Sequence, residues 1–228
     1  MSVVRLFFIV TILLIGVSGI TTISISEAQV APKAVPENAA TNNEYADSSL
    51  LNIPLVWKPT ETISALDAID LTAFQNISFT INPFNDLRKK PAEIGKNVEK
   101  RISDKIRYVT TRDNVAAWLT DRFGKIISEF DITVVNNGGT LLLEADIVKF
   151  YVTEESVYKA DIALKIRIRS KNGDVLWEGM ASVSSNRWGK SYQADNYNEA
   201  LSNACIDVVY NLLKSDSFVQ AIRKHKST

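Results

Sequence analysis

From Val157 to Val183 the chain alternates between apolar and polar residues. Tyr158, Ala160, Ile162, Leu164, Ile166 and Ile168 fall on one side, and Lys159, Asp161, Lys165, Arg167 and Arg169 on the other, where Ala163 is the one apolar residue. Successive side chains of a strand point to opposite faces, so this stretch is expected to be a strand with one face in a core and the other in water. The run ends at Lys171-Asn172-Gly173-Asp174. Asn-Gly accepts the positive φ of a tight type I′ turn, so a hairpin is expected, with Val175 to Ser185 pairing back.

Two helices stand out. After Val109, Thr110 or Thr111 is expected to cap a helix with Asp113 in its first turn, where the helix dipole favours negative charge. Val115, Trp118, Leu119, Phe123, Ile126, Ile127 and Phe130 then recur at three- and four-residue intervals, a single apolar stripe that must lie on a sheet. Trp118 therefore reads as core. In the second helix, capped by Asp195 or Asn196, the stripe is Tyr197, Leu201, Ala204, Cys205, Val208 and Leu212, widened by Val209 and Leu213. Ser215-Asp216-Ser217 breaks it and starts a short terminal helix carrying Phe218 and Ile222, ending in Arg223-Lys224-His225-Lys226. Cations there suit a helix C-terminus.

Other strands are expected over Gln75–Phe84, stopped by Pro83, over Asp131–Val135, and over Thr140–Thr153. In the last, apolar parity slips from Leu143-Ala145-Ile147 to Val148-Phe150-Val152, which predicts a β-bulge near Ile147-Val148. Asn136-Asn137-Gly138-Gly139 reads as a turn, and Glu154-Glu155 as a solvated pair of turn carboxylates. Arg88 to Arg107 is basic, has no helical stripe, and reads as an irregular connection with a helical turn near Val98–Ile102. Upstream, Leu51 to Pro59 reads as an extended arm docked on the domain, with Trp57 as its anchor. Thr60 to Ala73 fits either a short helix or an extended lead-in.

The N-terminus reads as an export signal. One Arg5 precedes an apolar run, Leu6 to Ile20, short for a membrane span, and Ser26-Glu27-Ala28 suits cleavage after Ala28. The alternative is an uncleaved anchor. Val30 to Leu50 has few large apolar residues and reads as a disordered linker. The organisation expected is a signal peptide (1–28), a linker (29–50) and one domain with an extended N-terminal arm (51–228).

Composition narrows the chemistry. A formal net charge of zero gives no general case for nucleic-acid binding. The single cysteine, Cys205, excludes an intramolecular disulfide, and with a single histidine, His225, leaves too few ligands for a Cys/His zinc site. There is no phosphate-binding glycine loop. Neither catalytic residues nor a cofactor or metal site is expected.

The order of elements resembles the YajG-type family of bacterial envelope lipoproteins. The resemblance rests on the strand Ile77-Ser78-Phe79-Thr80-Ile81, on Asp86-Leu87-Arg88 and Ile94-Gly95, and on the capped helix after Val109-Thr110-Thr111. It rests also on Lys159-Ala160-Asp161-Ile162 and on the closing helix at Asp216-Ser217-Phe218, and covers roughly Leu51 to Lys224. It implies an α+β domain, an antiparallel β-sheet with two long helices packed on one face, and an envelope location. It implies no known catalytic residue. Such proteins carry a lipidated cysteine at the end of the signal; here Ala28-Gln29 stands instead, which favours a soluble periplasmic protein.

These readings point to a non-enzymatic periplasmic accessory protein that binds an envelope protein or complex. The candidate contact surface is Arg88, Lys89, Lys90, Lys96, Lys100, Arg101, Lys105 and Arg107. The ordinary account of such a run is a solvated loop. A second reading is a lipid- or glycan-binding module, with Trp188 beside Gly189 as its most exposed aromatic residue. A hydrolase fragment at Asp86 and Arg88 is the least favoured; a turn-stabilising ion pair is simpler. Peripheral contact with a membrane is left open.

Overall fold

A computed structural model describes residues 50–66, 69–99 and 104–227. The expected signal and nearly all of the expected linker lie outside these residues, as do Lys100 and Arg101.

The strands are β1 (Leu51–Asn52), β2 (Ser78–Ile81), β3 (Asn85–Asp86), β4 (Glu93–Asn97), β5 (Arg107–Thr110), β6 (Thr133–Val134), β7 (Leu141–Glu154), β8 (Tyr158–Ser170) and β9 (Val175–Arg187). The helices are α1 (Val115–Glu129), α2 (Ala194–Lys214) and α3 (Asp216–Lys226), with 3₁₀ turns at Ile63–Ala65 and Leu71–Phe74. The alternating segment became β8, with Tyr158 to Ile168 buried on one face as expected. It pairs antiparallel with β7 and with β9 over nearly its whole length.

The sheet is mostly antiparallel, as expected, through the long β7–β8 and β8–β9 ladders, but it also contains parallel pairs. β7 is its hub: on the side away from β8 it takes β2, β3 and β4 in turn, all parallel to it. β1–β5 and β2–β6 are also parallel, and β4–β5 is antiparallel. The reason is connectivity. β2, β3 and β4 follow one another in a single pass along β7, beside Leu141–Leu143, Asp146–Ile147 and Val152–Glu154, so all three share its direction; the chain reverses only between β4 and β5. Three helices, not two, cover the inner face: α3 joins α1 and α2, with Phe218 edge-on to Trp177 of β9 at 5.2 Å.

The bulge falls where parity slips, between Ile147 and Lys149. Before it Leu141, Leu143, Ala145 and Ile147 point inward; after it Phe150, Val152 and Glu154 do. The β8–β9 turn differs from the expected type I′ form. Gly173 (φ 90°) has positive φ and Asn172 does not. Gly173 N–H donates to Ser170 O at 3.0 Å and Ser170 N–H to Asp174 O at 2.9 Å, a three-residue loop closed by a left-handed glycine.

The basic connection is less irregular than expected, because it contains β4 and β5. Capping also differs. Asn114, not Thr110 or Thr111, caps α1, accepting from Ala117 N–H at 2.9 Å. Thr110 ends β5, and Asp113 instead accepts from Leu55 N–H of the arm at 2.7 Å. Helix α2 begins after Gln193 without a side-chain cap, and Asn196 donates to Lys190 O at 2.8 Å.

Helix α2 is buried nearly all round. Its apolar stripe faces β8 and β9 while the arm covers its other side. Every second amide of the arm donates to a polar side chain of the helix: Val56 to Asn198 (3.1 Å), Lys58 to Ser202 (2.9 Å) and Thr60 to Asn203 (2.9 Å). The arm does dock, but its buried anchors are Ile53 and Leu55; Trp57 is half-buried against Trp118.

Candidate functional site

The basic segment was expected to act as one surface. The structure divides it. Arg88 is only 8% exposed at its side chain. Its Nε and Nη2 hold the Asp86 carboxylate at 2.9 and 2.6 Å, and the remaining N–H groups reach the carbonyls of Glu93, Phe150 and Pro91. All of its donors serve to pin the loop between β3 and β4 against β7, so the Asp86–Arg88 pair stabilises that turn.

From this fixed loop Lys89 and Lys90 project outward, and Leu87 is 63% exposed. Beside them the bulge of β7 turns Val148 (51% exposed) and Lys149 to solvent. Together they border an open cleft of ≈ 350 Å³ lined by Arg88, Lys89, Lys90, Glu93, Val148, Lys149, Phe150 and Tyr151. Lys90 Nζ lies 3.5 Å from the Glu93 carboxylate, and Lys149 Nζ 2.8 Å from Asp161. Tyr151 OH donates to Glu93 Oε1 at 2.7 Å. Burial, then that carboxylate, push the phenol well above its ordinary range, so Tyr151 stays a neutral donor.

Lys96 lies half-buried in β4 and Lys105 is exposed ahead of β5. Arg107 is drawn inward: its guanidinium stacks 4.0 Å over the Tyr192 ring, with Nε and Nη2 buried. The open face of β8 carries charge that is met on neighbouring strands. Arg167 reaches Asp146 at 2.6 Å and Glu178 at 2.8 Å, Arg169 reaches Glu144 at 3.0 Å, and Lys165 reaches Glu178 at 3.0 Å. That part of the face is a cross-strand ion-pair network.

A second constellation was missed in the sequence. Glu154 is 2% exposed, unlike Glu155. It accepts from Ser191 OH at 2.5 Å, Tyr192 N–H at 2.8 Å and Tyr197 OH at 2.6 Å, and Asn97 Nδ2 donates to Ser191 Oγ at 3.0 Å. Burial, then the carboxylate, hold the Tyr197 phenol far above its usual range. The arrangement fastens the loop between β9 and α2, where Tyr192 sits at φ 57°, a strained value for a bulky residue. A carboxylate saturated by three donors is a structural acceptor rather than a general base. Its signal was in the sequence: Glu154 continues the inward parity of Phe150 and Val152.

Cys205 is buried in α2, and burial raises its thiol pKa, which leaves it unreactive as expected. Trp188 is 71% exposed. Among the described residues no cluster of His, Cys, Asp and Glu has the makings of a metal site, and no helix is long and apolar enough to cross a membrane.

No family model matches the chain, and no curated protein is significantly similar to it. Among solved structures, a Xanthomonas campestris protein of the DUF330 family superposes with a TM-score of 0.50 at 12% identity, over 78% of this chain and 99% of that one. The PelC dodecamer of Paraburkholderia phytofirmans gives a TM-score of 0.38 at 7% identity, over 65% and 94%. Lipoprotein GNA1162 of Neisseria meningitidis gives 0.24 at 15% identity, over 48% and 83%. The first likeness shows a shared fold. The other two are too loose to carry an argument.

Proposed function

We propose that this chain is a non-enzymatic accessory protein of the bacterial envelope, of YajG-like type, that binds an acidic macromolecular partner through the cleft beside the β7 bulge. The observation that carries this is the pinned loop. Arg88 fixes its backbone, so Lys89 and Lys90 are presented beside exposed Leu87 and Val148 with little ordering left to do on binding. Apolar side chains ringed by cations suit a partner that offers both a hydrophobic contact and carboxylates. The export-like N-terminus supports the compartment.

The alternative, a lipid or glycan held between helices and sheet, is weaker. That layer is filled by Phe79, Phe123, Phe150 and Ile162, each 1% exposed or less.

The test is capture of the tagged chain from crosslinked envelopes, with Lys89→Gln, Lys90→Gln and Lys149→Gln combined in one variant, which removes the cations without setting a carboxylate against Glu93 or Asp161. The variant should lose a partner that the parent chain retains, with an unchanged melting temperature. Equal capture by both chains would remove the cleft from the account. Partner release by moderate salt is expected as well, since exposed charges are screened within about 10 Å at 0.1 M ionic strength.

A further inference from the structure

β9 is an edge strand. Its 13 residues pair with β8 and, among the described residues, with no other strand. Alternate N–H and C=O groups along its outer side therefore lack a ladder partner, and such a row is a template for a further strand. The other edges are kept short: β1, β3 and β6 have two residues each. β9 carries none of the usual protections. It contains no proline and no lysine. From Trp177 to Arg187 its register with β8 runs without a bulge. Its two charged side chains are already engaged, Glu178 with Lys165 and Arg167 of β8, and Arg187 with Glu199 of α2. Residues 179–186 between them carry no charge. Helices α2 and α3 meet the strand on its inner face, at Arg187 and Trp177. On the other face Glu178, Met180, Ser182, Ser184 and Asn186 are all exposed.

A second copy of the same strand suits this edge. Val175–Arg187 has its midpoint at Ala181. Antiparallel pairing about a two-fold axis through Ala181 sets Trp177 against Ser185 of the second copy, Gly179 against Val183, and Met180 against Ser182. Glu178 then faces the Ser184 hydroxyl, and no like charges meet. The two Met180 side chains, each 56% exposed in one copy, lie diagonally across the axis. Diagonal neighbours about 7–8 Å apart are within reach of long side chains. A formal net charge of zero puts no long-range repulsion between copies. The incoming strand is already formed, so it has less order to gain than a free peptide would. Because both copies use the same edge, the contact closes at two and leaves only the two-residue edges outside it.

We propose that two copies of this chain pair through β9, antiparallel and centred on Ala181, into one continuous sheet. The cleft beside the β7 bulge stays open. Lys149 of β7 lies opposite Ala163 of β8, which lies opposite Ser182, so the edge is two strand spacings, about 10 Å, from β7.

The full chain is followed by sedimentation velocity, and by the spectrum of a nitroxide attached to Ser182→Cys. Cys205 is 1% exposed and stays unlabelled. A concentration-dependent dimer is expected, with the spectrum broadened by the second label, because Ser182 stands next to the axis. The same label on Asn172→Cys, in the β8–β9 turn, should stay sharp, because the two turns lie at opposite ends of the paired strands. Met180→Glu faces Lys165 within its own chain, which suits the fold, but sets two carboxylates across the axis. It should weaken the dimer several-fold with an unchanged circular dichroism spectrum. A monomer at every concentration, an assembly larger than two, or a dimer in which the Ser182→Cys label stays sharp overturns the proposal. So does a Met180→Glu dimer as tight as that of the parent chain. If Met180→Glu fails to fold, the two nitroxide spectra decide by themselves.

Discussion

Glu154 sits at the inner face of β7 with three donors aimed at it, and each would be left unpaired without its carboxylate. An unsatisfied buried polar group costs about 1–3 kcal/mol. Glu154→Gln, which turns one acceptor into a donor facing Tyr197 or Ser191, should lower stability by roughly that amount, read from urea unfolding at unchanged m-value. Asp207 behaves oppositely. Burial raises its pKa, offset in part by a hydrogen bond from Ser185. The folded chain therefore holds this proton more tightly than the unfolded chain does. The stabilisation is complete below the ordinary aspartate pKa of about 3.9 and is lost as pH rises through the raised value. Asp207→Asn should raise the melting temperature at neutral pH and give no gain in acid. Cys205 adds a simple check: thiol reagents should label it only at the rate of unfolding, since it is 1% exposed.

At the scale of elements, the arm and α2 depend on each other. Asn203 receives Thr60 N–H and Glu61 N–H, and returns a bond to Thr60 Oγ1 at 2.8 Å. Asn203→Ala should cost about 1–3 kcal/mol and speed hydrogen exchange at the arm amides before that of β7 or β8. From sequence alone, Asn198, Ser202 and Asn203 look like the solvated side of an amphipathic helix. Only the arm, more than 140 positions earlier in the chain, turns them into a buried face. The entry to β7 is constrained in another way. A Cβ on Gly139 would stand 2.6 Å from Thr80 N and 2.8 Å from Phe79 C, both backbone atoms that cannot swing aside. Gly139→Ala should therefore push β2 off β7 and destabilise by more than about 2 kcal/mol, measured by thermal unfolding.

The whole molecule is organised by one long antiparallel ladder, β7–β8–β9, with short strands gathered on its far side. Native-state hydrogen exchange should follow that order. The central amides of β7 and β8 should open only with global unfolding, and the two-residue strands β1, β3 and β6 well before. What the sequence determined by itself is what local periodicity encodes: β8 and its turn region, the bulge of β7, the stripes of α1 and α2, and the docking arm. Each of these repeats an apolar residue at two, three or four positions, so a short window suffices to read it. The tertiary structure alone decided the rest. β3, β4 and β5 have two to five residues each, too few for a period to show; β3 and β4 form because β7 offers a parallel edge, and β5 because β4 in turn offers an antiparallel one. The eight basic side chains were legible as charge, but not their division into Arg88 and Arg107, drawn into packing, and Lys89 and Lys90, turned to solvent. That division depends on which carbonyls and rings lie across the chain, Phe150 O for Arg88 and Tyr192 for Arg107, and no local pattern records a partner 62 or 85 residues away.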